Sequence, residues 1–355
     1  MSLKENEKLV DPNLEQLNYS GRIDYSNPLA PIFIFPASSV SMVFTGTVLK
    51  ILIKNNHSYY DNYLGYILDG VQKKFHLEND NDLQEIALAS DMQGDKAHEI
   101  ILFKRQDGCH EFTFCGFIIS SCGEVTRLSK KLRRCMEFYG DSAAAGELIE
   151  DTDYTERQEF KHNGEYSNVW YSYAMMTARN LKTEVSIIAQ GGIALLDNAG
   201  HFKAGMESIY DKLHFNPGIG NVTKWDFNIY TPQVVVIDIG QNDAFPEDYM
   251  KKNRKGVKAT NWKKHYREFV LNIREKYPNA FIVLTTTIIN HHPSWDRAIG
   301  LICQEINDEN IFHFLYSCNG RGTPLSTRIW SAEQMSFELS IFLKSFGMRI
   351  WEISK

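Results

Sequence analysis

At 355 residues, the chain is longer than a single hydrophobic core usually supports, so we expect two domains. Its composition, with 43% hydrophobic and 23% charged residues, is that of a globular protein, and no apolar segment approaches the ~20 residues that span a bilayer. With a net charge of −6, the chain lacks the excess of basic residues that is typical of general nucleic-acid-binding proteins. We therefore expect neither a membrane nor a nucleic acid as a partner, and the oligomeric state stays open.

The cysteine pattern and the first residues of the chain are relevant to the cellular compartment of the protein. The six cysteines show no CxxC pair and no repeated spacing, which argues against a zinc site and a dense disulfide framework. The first ten residues, MSLKENEKLV, contain no apolar segment of the signal-peptide kind. The compartment stays open between the cytoplasm and secretion with a signal removed.

The first third of the chain has the rhythm of an antiparallel β domain. Short β-prone segments are separated by turn residues such as Asp69-Gly70 and Asp107-Gly108, with no long helical pattern between them. The predicted strands are Ile32 to Phe35, Ser41 to Phe44, Thr47 to Ile53, Tyr63 to Leu68, Glu99 to Phe103 and Glu111 to Ile119. This pattern predicts a β-sandwich, or jelly roll, over residues 1–130.

From about residue 131 the pattern changes to alternating strands and helices. The predicted strands are Cys135 to Tyr139, Thr183 to Ala189, Val234 to Ile239 and Ala280 to Ile288, and the predicted helices are Tyr171 to Leu181, Trp262 to Tyr277 and Ala332 to Phe346. Alternation of this kind predicts a mainly parallel sheet covered by helices on both faces, a three-layer α/β/α domain over residues 131–355. In such domains the functional residues follow the carboxyl ends of the strands.

A serine follows the first of these strands. Gly140-Asp141-Ser142 leads into the small residues Ala143 to Gly146, a tight turn that would expose the Ser142 hydroxyl at a helix N-terminus. Backbone N–H groups and the helix dipole there favour a developing oxyanion. Taken alone, however, a Gly-Asp-Ser tripeptide is also ordinary turn chemistry.

The next two strands end in residues that suit an oxyanion site. Gly191 and Gly192 permit close approach of backbone to a ligand, although a plain strand-to-loop turn explains them equally well. Asn242, in Gly240-Gln241-Asn242-Asp243, offers a side-chain amide as an oxyanion donor, and a capping turn is the alternative explanation.

Three sequence blocks in this order resemble those of the SGNH/GDSL hydrolases. They are GDS at 140–142, QGGIALLDN at 190–198 and VVVIDIGQND at 234–243. Trp225-Asp226-Phe227 and the leading β domain, with Phe44-Thr45-Gly46-Thr47 and Phe103-Lys104-Arg105, resemble carbohydrate esterase family 2 in particular. The resemblance extends from about Tyr19 to Phe346.

The resemblance implies a serine esterase that needs no metal or cofactor. Ser142 would be the nucleophile, and the oxyanion would be held by the N–H of Ser142, the N–H of Gly192 or Gly191, and the amide of Asn242. Asp141 and Gly191 are expected at the substrate. The implied reaction removes O-acetyl groups from an acetylated plant cell-wall glycan, xylan-like, through an acyl-enzyme.

The block that should supply the catalytic base is absent. The family has a DxxHP segment before the last helix, whereas residues 319–326 here read NGRGTPLS. One register places Gly320 at the Asp position and Thr323 at the His position, and a later register places Ile329 at the His position. None of these can act as a base, and no histidine follows His313.

Two interpretations of this loss stay open. In the first, His291 or His292, which follow the fourth strand at the same sheet edge, replaces the base, with Asp296 as an orienting carboxylate; solvated loop histidines are the alternative. In the second, the chain is a carbohydrate-binding protein with a degenerate esterase site. A lipase-like esterase is a weaker third possibility. Trp295 and Trp330 flank the predicted site and could contact a saccharide, although core packing is the commoner fate of tryptophan.

Overall fold

The computed structural model describes residues 3–127, 132–152 and 163–352. The chain divides into two compact units. The first contains the described part of Met1–Lys131 with Asn163–Glu165 and Asn216–Val222, and the second contains the described remainder of the chain. The predicted boundary at residues 130 and 131 lies outside the described residues. No helix in the described ranges has the length and apolar character needed to cross a bilayer.

The first unit consists of two antiparallel sheets. Its strands are β1 (Glu7–Val10), β2 (Asn18–Ser20), β3 (Ile23–Asp24), β4 (Ile32–Phe33), β5 (Ser39–Phe44), β6 (Leu49–His57), β7 (Asn62–Leu68), β8 (Val71–Leu77), β9 (Gln84–Ala89), β10 (His98–Lys104), β11 (His110–Ser120) and β12 (Val125–Thr126). One sheet has the order β3-β4-β11-β6-β9 with β1 paired to β11, and the other has the order β12-β5-β10-β7-β8 with β2 paired to β5.

Alternating apolar side chains hold these two sheets around one core. Phe112 and Ile51 of the first sheet and Met42, Leu64 and Ile100 of the second are fully buried in the same hydrophobic cluster. Two sheets whose inner faces share a core form a sandwich. The predicted β-rich architecture of this part of the chain is confirmed.

The second unit is built on a parallel sheet. Its strands are β13 (Arg134–Gly140), β14 (Thr183–Ala189), β15 (Val234–Asp238), β16 (Phe281–Thr285) and β17 (Ile311–His313), in the order β14-β13-β15-β16-β17. Its helices are α1 (Ser142–Ala145), α2 (Tyr173–Leu181), α3 (Met206–Ile209), α4 (Tyr249–Lys252), α5 (Val257–Lys276), α6 (Ser294–Ile306) and α7 (Ile329–Ser345). The residues of β15 and β16 are all buried, as expected of strands with both faces covered.

This strand order places a crevice beside β13. The chain runs from β13 to β14 on one side and then to β15, β16 and β17 on the other, so the order reverses at β13. In register, Gly140 lies beside both Ala189 and Asp238, and Asp238 lies beside Thr285. The segments that follow β13, β14, β15 and β16 therefore leave the sheet at one level, where ligands bind in open α/β sheets.

Several elements differ from the prediction: strands β8 and β9 of the first unit were not predicted, and α5 begins at Val257 rather than Trp262. The fourth predicted strand, Ala280 to Ile288, is shorter in the structure because residues after Thr285 leave the sheet. Helix α6 and strand β17 were not predicted. Helix α6 begins directly after His291-His292-Pro293, a sequence that predicts a loop, and β17 has only three residues, too few for a periodic signal.

Candidate active site at the carboxyl edge of the parallel sheet

Ser142 begins a single helical turn at the end of β13. Its side chain is half-buried, and Asp141 caps the turn by accepting a hydrogen bond from the Ala143 N–H at 3.0 Å. Gly140 has no Cβ, and one added there would lie 2.4 Å from the Ala144 Cβ, which explains the glycine. Because α1 has only four residues, the macrodipole of a long helix is not available here. The local N–H groups must provide any stabilisation of an oxyanion.

Two backbone N–H groups at this site are available to a ligand. Neither the Ser142 N–H nor the Gly192 N–H donates a hydrogen bond to any other residue that the structure describes. Gly192 has a φ of +68°, and an added Cβ would lie 2.7 Å from the His201 Cβ. Glycine is therefore required at position 192, because the backbone there is left-handed and a larger side chain would clash with His201.

Asn242 is present at the site, but its amide is already engaged. Its Nδ2 donates to the Asp141 Oδ2 at 2.9 Å and to the Ile193 carbonyl at 2.9 Å. An amide nitrogen has two hydrogens, so both are used in this arrangement. Donation to an oxyanion would require one of these bonds to break.

Asp141 is the centre of a buried network and does not contact solvent. It is 1% exposed, so the structure does not place its side chain on the surface, where contact with a substrate was predicted. Its Oδ2 also accepts from the Gln241 Nε2 at 2.6 Å, and the Gln241 Oε1 accepts from the Thr287 hydroxyl at 2.6 Å. Gln241 thereby joins the end of β13 to the segment after β16. This bridge was not predicted from the sequence.

Three carboxyl groups are buried at this edge of the sheet, and burial raises the pKa of each. Burial raises the pKa of Asp141 to about 6, against the hydrogen bonds that it accepts. Burial and the charge of Asp141 raise the pKa of Asp238 well above its usual value, and the Asp238 Oδ2 accepts from the Tyr173 hydroxyl. Burial raises the pKa of Asp243 to about 7, although the Leu195 and Leu196 N–H groups donate to it.

His291 lies at this edge of the sheet with both ring nitrogens occupied. Its Nδ1 lies 2.7 Å from the Ile289 carbonyl, and its Nε2 lies 3.1 Å and 3.2 Å from the two oxygens of Asp296. The Ile289 carbonyl and the Asp296 carboxylate are both acceptors, an arrangement that favours the protonated ring, which has a donor at each nitrogen. Burial opposes this charge, but the hydrogen bond and charge of Asp296 outweigh it and raise the pKa of His291. The same pairing lowers the pKa of Asp296 against the effect of its burial.

Three further groups bind this ion pair or shape its surroundings. The Thr286 hydroxyl donates to the Asp296 Oδ1 at 2.6 Å, and the Asn319 amide donates to the same oxygen at 3.0 Å. Gly320 has a φ of +67°, and a Cβ there would lie 3.1 Å from the His291 ring. The position where the family pattern places an aspartate thus leaves no space for a larger side chain beside His291.

The other candidate bases have different surroundings. The His292 Nδ1 accepts from the Ser294 N–H at 3.3 Å, which leaves the proton of a neutral ring on Nε2. Thr323 lies beside Ile289 in a parallel bridge, and its hydroxyl donates to the Ser326 carbonyl. Within the described ranges, no imidazole is hydrogen-bonded to the Ser142 hydroxyl.

The aromatic residues near the site differ from those expected. Trp295 is fully buried, packs edge-on against Trp262 with ring centroids 5.1 Å apart, and donates to the Asp248 carboxylate. It belongs to the core, which corrects its predicted role in contacting a sugar. Trp330 is 59% exposed in the first turn of α7.

An exposed aromatic pair was not predicted. The His201 and Phe245 rings stack with centroids 4.2 Å apart. The His201 N–H donates to the Gly192 carbonyl and the Gly200 N–H donates to the Phe245 carbonyl, so this pair is fixed to the segments after β14 and β15. The spacing of these residues, 44 positions apart, carries no sequence signal.

Comparisons with known proteins agree with this architecture. A family model described as "Carbohydrate esterase 2 N-terminal" matches residues 19–127. The structure of a family two carbohydrate esterase from Clostridium thermocellum in complex with cellohexaose superposes with a TM-score of 0.77 and 26% identity, covering 93% of this chain and 98% of that one. The chain resembles carbohydrate esterase family 2 of the SGNH/GDSL hydrolases.

Two curated relatives extend the resemblance. Cellulase/esterase CelE of Acetivibrio thermocellus is 31% identical over 307 residues, which are 86% of this chain and 35% of that protein. This chain thus spans about a third of the length of CelE. An acetylxylan esterase / glucomannan deacetylase of Cellvibrio japonicus is 22% identical over 309 residues, covering 85% of this chain and 80% of that protein.

In the part of the chain that the structure describes, no group of three or more His, Cys, Asp or Glu residues is arranged to hold a metal ion.

Proposed function

We propose that this chain is a serine esterase that removes O-acetyl groups from an acetylated, xylan-like polysaccharide, with Ser142 as the nucleophile. The observation that carries the proposal is the position of Ser142 at the β13 switch point beside two N–H groups, its own and that of Gly192, that bond no described residue. Those groups suit the negative oxygen of a tetrahedral intermediate. The names of the esterase relatives support acetylated glycans as substrates.

The proposed reaction has two steps. The Ser142 Oγ forms a bond to the acetyl carbon while its proton passes to a base, and the N–H groups of Ser142 and Gly192 bind the oxyanion. Collapse of this intermediate breaks the bond to the sugar oxygen, which leaves as a hydroxyl after taking a proton. Water then attacks the acetyl-Ser142 ester and releases acetate.

The first step requires a base that accepts the proton of the Ser142 hydroxyl. The pKa of His291 is raised and its two ring nitrogens lie against the Ile289 carbonyl and Asp296, so the neutral ring that could accept the Ser142 proton is disfavoured. His292 retains an acceptor nitrogen only if the Ser294 N–H releases it or the ring changes tautomer. Either residue would therefore be less available as a base than a histidine placed by a full triad. Loss of a triad member lowers kcat by roughly 10⁴- to 10⁶-fold, so we expect slow turnover.

The second candidate function is carbohydrate binding by a degenerate esterase site. The occupied nitrogens of His291 favour it, as does the lack of a described imidazole bonded to Ser142. The exposed His201–Phe245 stack would serve a glycan equally well in either function.

Acetate release distinguishes the two functions. We would measure it from p-nitrophenyl acetate and acetylated xylan with the wild-type chain and with Ser142→Ala, His291→Ala and His292→Ala variants. Turnover that disappears with Ser142→Ala and falls with one histidine variant would support a serine esterase with a relocated base. Turnover that is lost with Ser142→Ala but kept in both histidine variants would show that Ser142 uses a different base. Activity no higher than that of Ser142→Ala would reject the esterase and leave glycan binding to be measured.

A further inference from the structure

A cavity of about 590 Å³ lies beside the His291–Asp296 ion pair, and both residues line it. It is formed by α6 and by the segment after β17, and Ser142 and Asn242 do not line it. Its lining includes Arg297, Gln304, His313, Asn319 and Arg321. This volume falls within the ~300–1,000 Å³ range of small-molecule sites. It is larger than a single inorganic anion would fill.

The cavity carries a local positive charge on a chain whose net charge is −6. The guanidinium groups of Arg297 and Arg321 form no ion pair or hydrogen bond with another described residue. The negative charge of Asp296 is already balanced by His291, and its oxygens accept from Thr286 and Asn319. Two guanidinium groups therefore face the cavity without a carboxylate to balance them.

The rest of the lining suits a ring that carries hydroxyl groups. The Gln304 side chain is exposed in this lining and forms no hydrogen bond with another described residue. Leu301 and Leu315, each about half exposed, add an apolar surface at the rim.

We propose that this cavity binds a uronic acid, a pyranose ring that carries a carboxylate, with Arg297 and Arg321 as its carboxylate ligands. Guanidinium groups form charge-assisted, often bidentate, hydrogen bonds with carboxylates. The ring hydroxyls would bond the Gln304 side chain, and the faces of the ring would lie against Leu301 and Leu315. His291 and Asp296 also line this cavity, but the proposed contacts with the carboxylate come from Arg297 and Arg321, so binding does not require turnover at Ser142.

Isothermal titration calorimetry on the Ser142→Ala protein tests this proposal without turnover. The probes are glucuronic acid, galacturonic acid, glucose, inorganic phosphate and a xylo-oligosaccharide that bears a glucuronic acid branch. We expect the acidic sugars to bind at least about 10-fold more tightly than glucose, because only they can accept from the arginines. Binding of the branched oligosaccharide in place of the free acids would identify the glycan-attached form as the ligand.

Matched arginine variants complete the experiment. Arg297→Gln and Arg321→Gln should each weaken binding of the acidic sugar by roughly 10-fold or more. Arg267→Gln, an exposed arginine on α5, should leave it unchanged, and circular dichroism checks that each variant folds. Equal binding of glucose and glucuronic acid, phosphate binding as tight as that of the acidic sugars, or unchanged binding in both cavity variants would overturn the proposal.

Discussion

The Asn242 amide donates to the Asp141 carboxylate across 2.9 Å, and this bond joins the residue expected to bind the oxyanion to the residue before the nucleophile. Its second hydrogen goes to the Ile193 carbonyl, also at 2.9 Å. Asn242 therefore holds together the segments that follow β13, β14 and β15. We propose that its contribution to an oxyanion site is to position the Ser142 turn and the Gly192 loop.

Replacement of Asn242 tests this positioning role. Asn242→Ala leaves the buried Asp141 without one of its donors, so we expect the free energy of unfolding to fall by about 1–3 kcal/mol together with any loss of kcat. Chemical denaturation and acetate release measure the two quantities. Asn228→Ala, which removes an exposed amide, serves as the control. A lower kcat with unchanged stability would show instead that the amide acts on the oxyanion directly.

Asp141→Asn probes the same network from its centre. The carboxylate accepts three hydrogen bonds, from Ala143, Gln241 and Asn242. An asparagine that keeps its oxygen toward Ala143 would point its amide hydrogens at the amide nitrogens of Gln241 and Asn242, which cannot accept them. We expect lower stability, by about 1–3 kcal/mol, and loss of esterase activity. Asp95→Asn, at an exposed position, should change neither, and an active, stable Asp141→Asn protein would contradict the network's importance.

Stability should decrease as the pH rises from mildly acidic to alkaline values. The pKa of His291 is raised above 6.5, so its stabilising contribution is complete below about pH 6.5 and is lost as the pH rises through the folded-state value. The raised pKa values of Asp141, about 6, and Asp243, about 7, act in the same direction, because the folded chain retains protons that the unfolded chain releases above about pH 4. Asp296, whose pKa is lowered, loses its contribution only below that range.

Thermal unfolding at pH values from about 4 to 9 checks this expectation. The wild-type Tm should be highest under mildly acidic conditions and fall toward pH 8. His291→Gln should lower the free energy of unfolding, on the order of 3 kcal/mol, because it leaves Asp296 buried without its partner. It should also flatten the decline above pH 6.5. His201→Gln, at an exposed position, is the control, and a Tm that is constant or rises between pH 5 and pH 8 would contradict the assignment.

The architecture was predictable because its signals are local, whereas much of the site depends on distant contacts. Continuously apolar strands such as Val234–Asp238 predict a covered parallel sheet, and residues that follow successive parallel strands must meet at one edge. By contrast, Gln241 bonds Asp141 across 100 positions and Thr287 across 46, distances at which spacing carries no information. The burial of Trp295 was missed for a related reason: it depends on α6, which follows a sequence typical of a loop.

The exposed stack of His201 on Phe245 yields a prediction about glycan binding in either proposed function. The two rings form an apolar surface beside the segments after β14 and β15, and such surfaces pack against the faces of sugar rings. His201→Ala and Phe245→Ala, made in the Ser142→Ala protein, should each weaken binding of xylo- or cello-oligosaccharides by about 1 kcal/mol, or roughly 5-fold, in calorimetric titrations. Phe337→Ala, an equally exposed aromatic on α7, should have no effect. Unchanged affinity in both stack variants would place the glycan elsewhere on the second unit, whereas a similar loss in Phe337→Ala would show that the measured binding is non-specific.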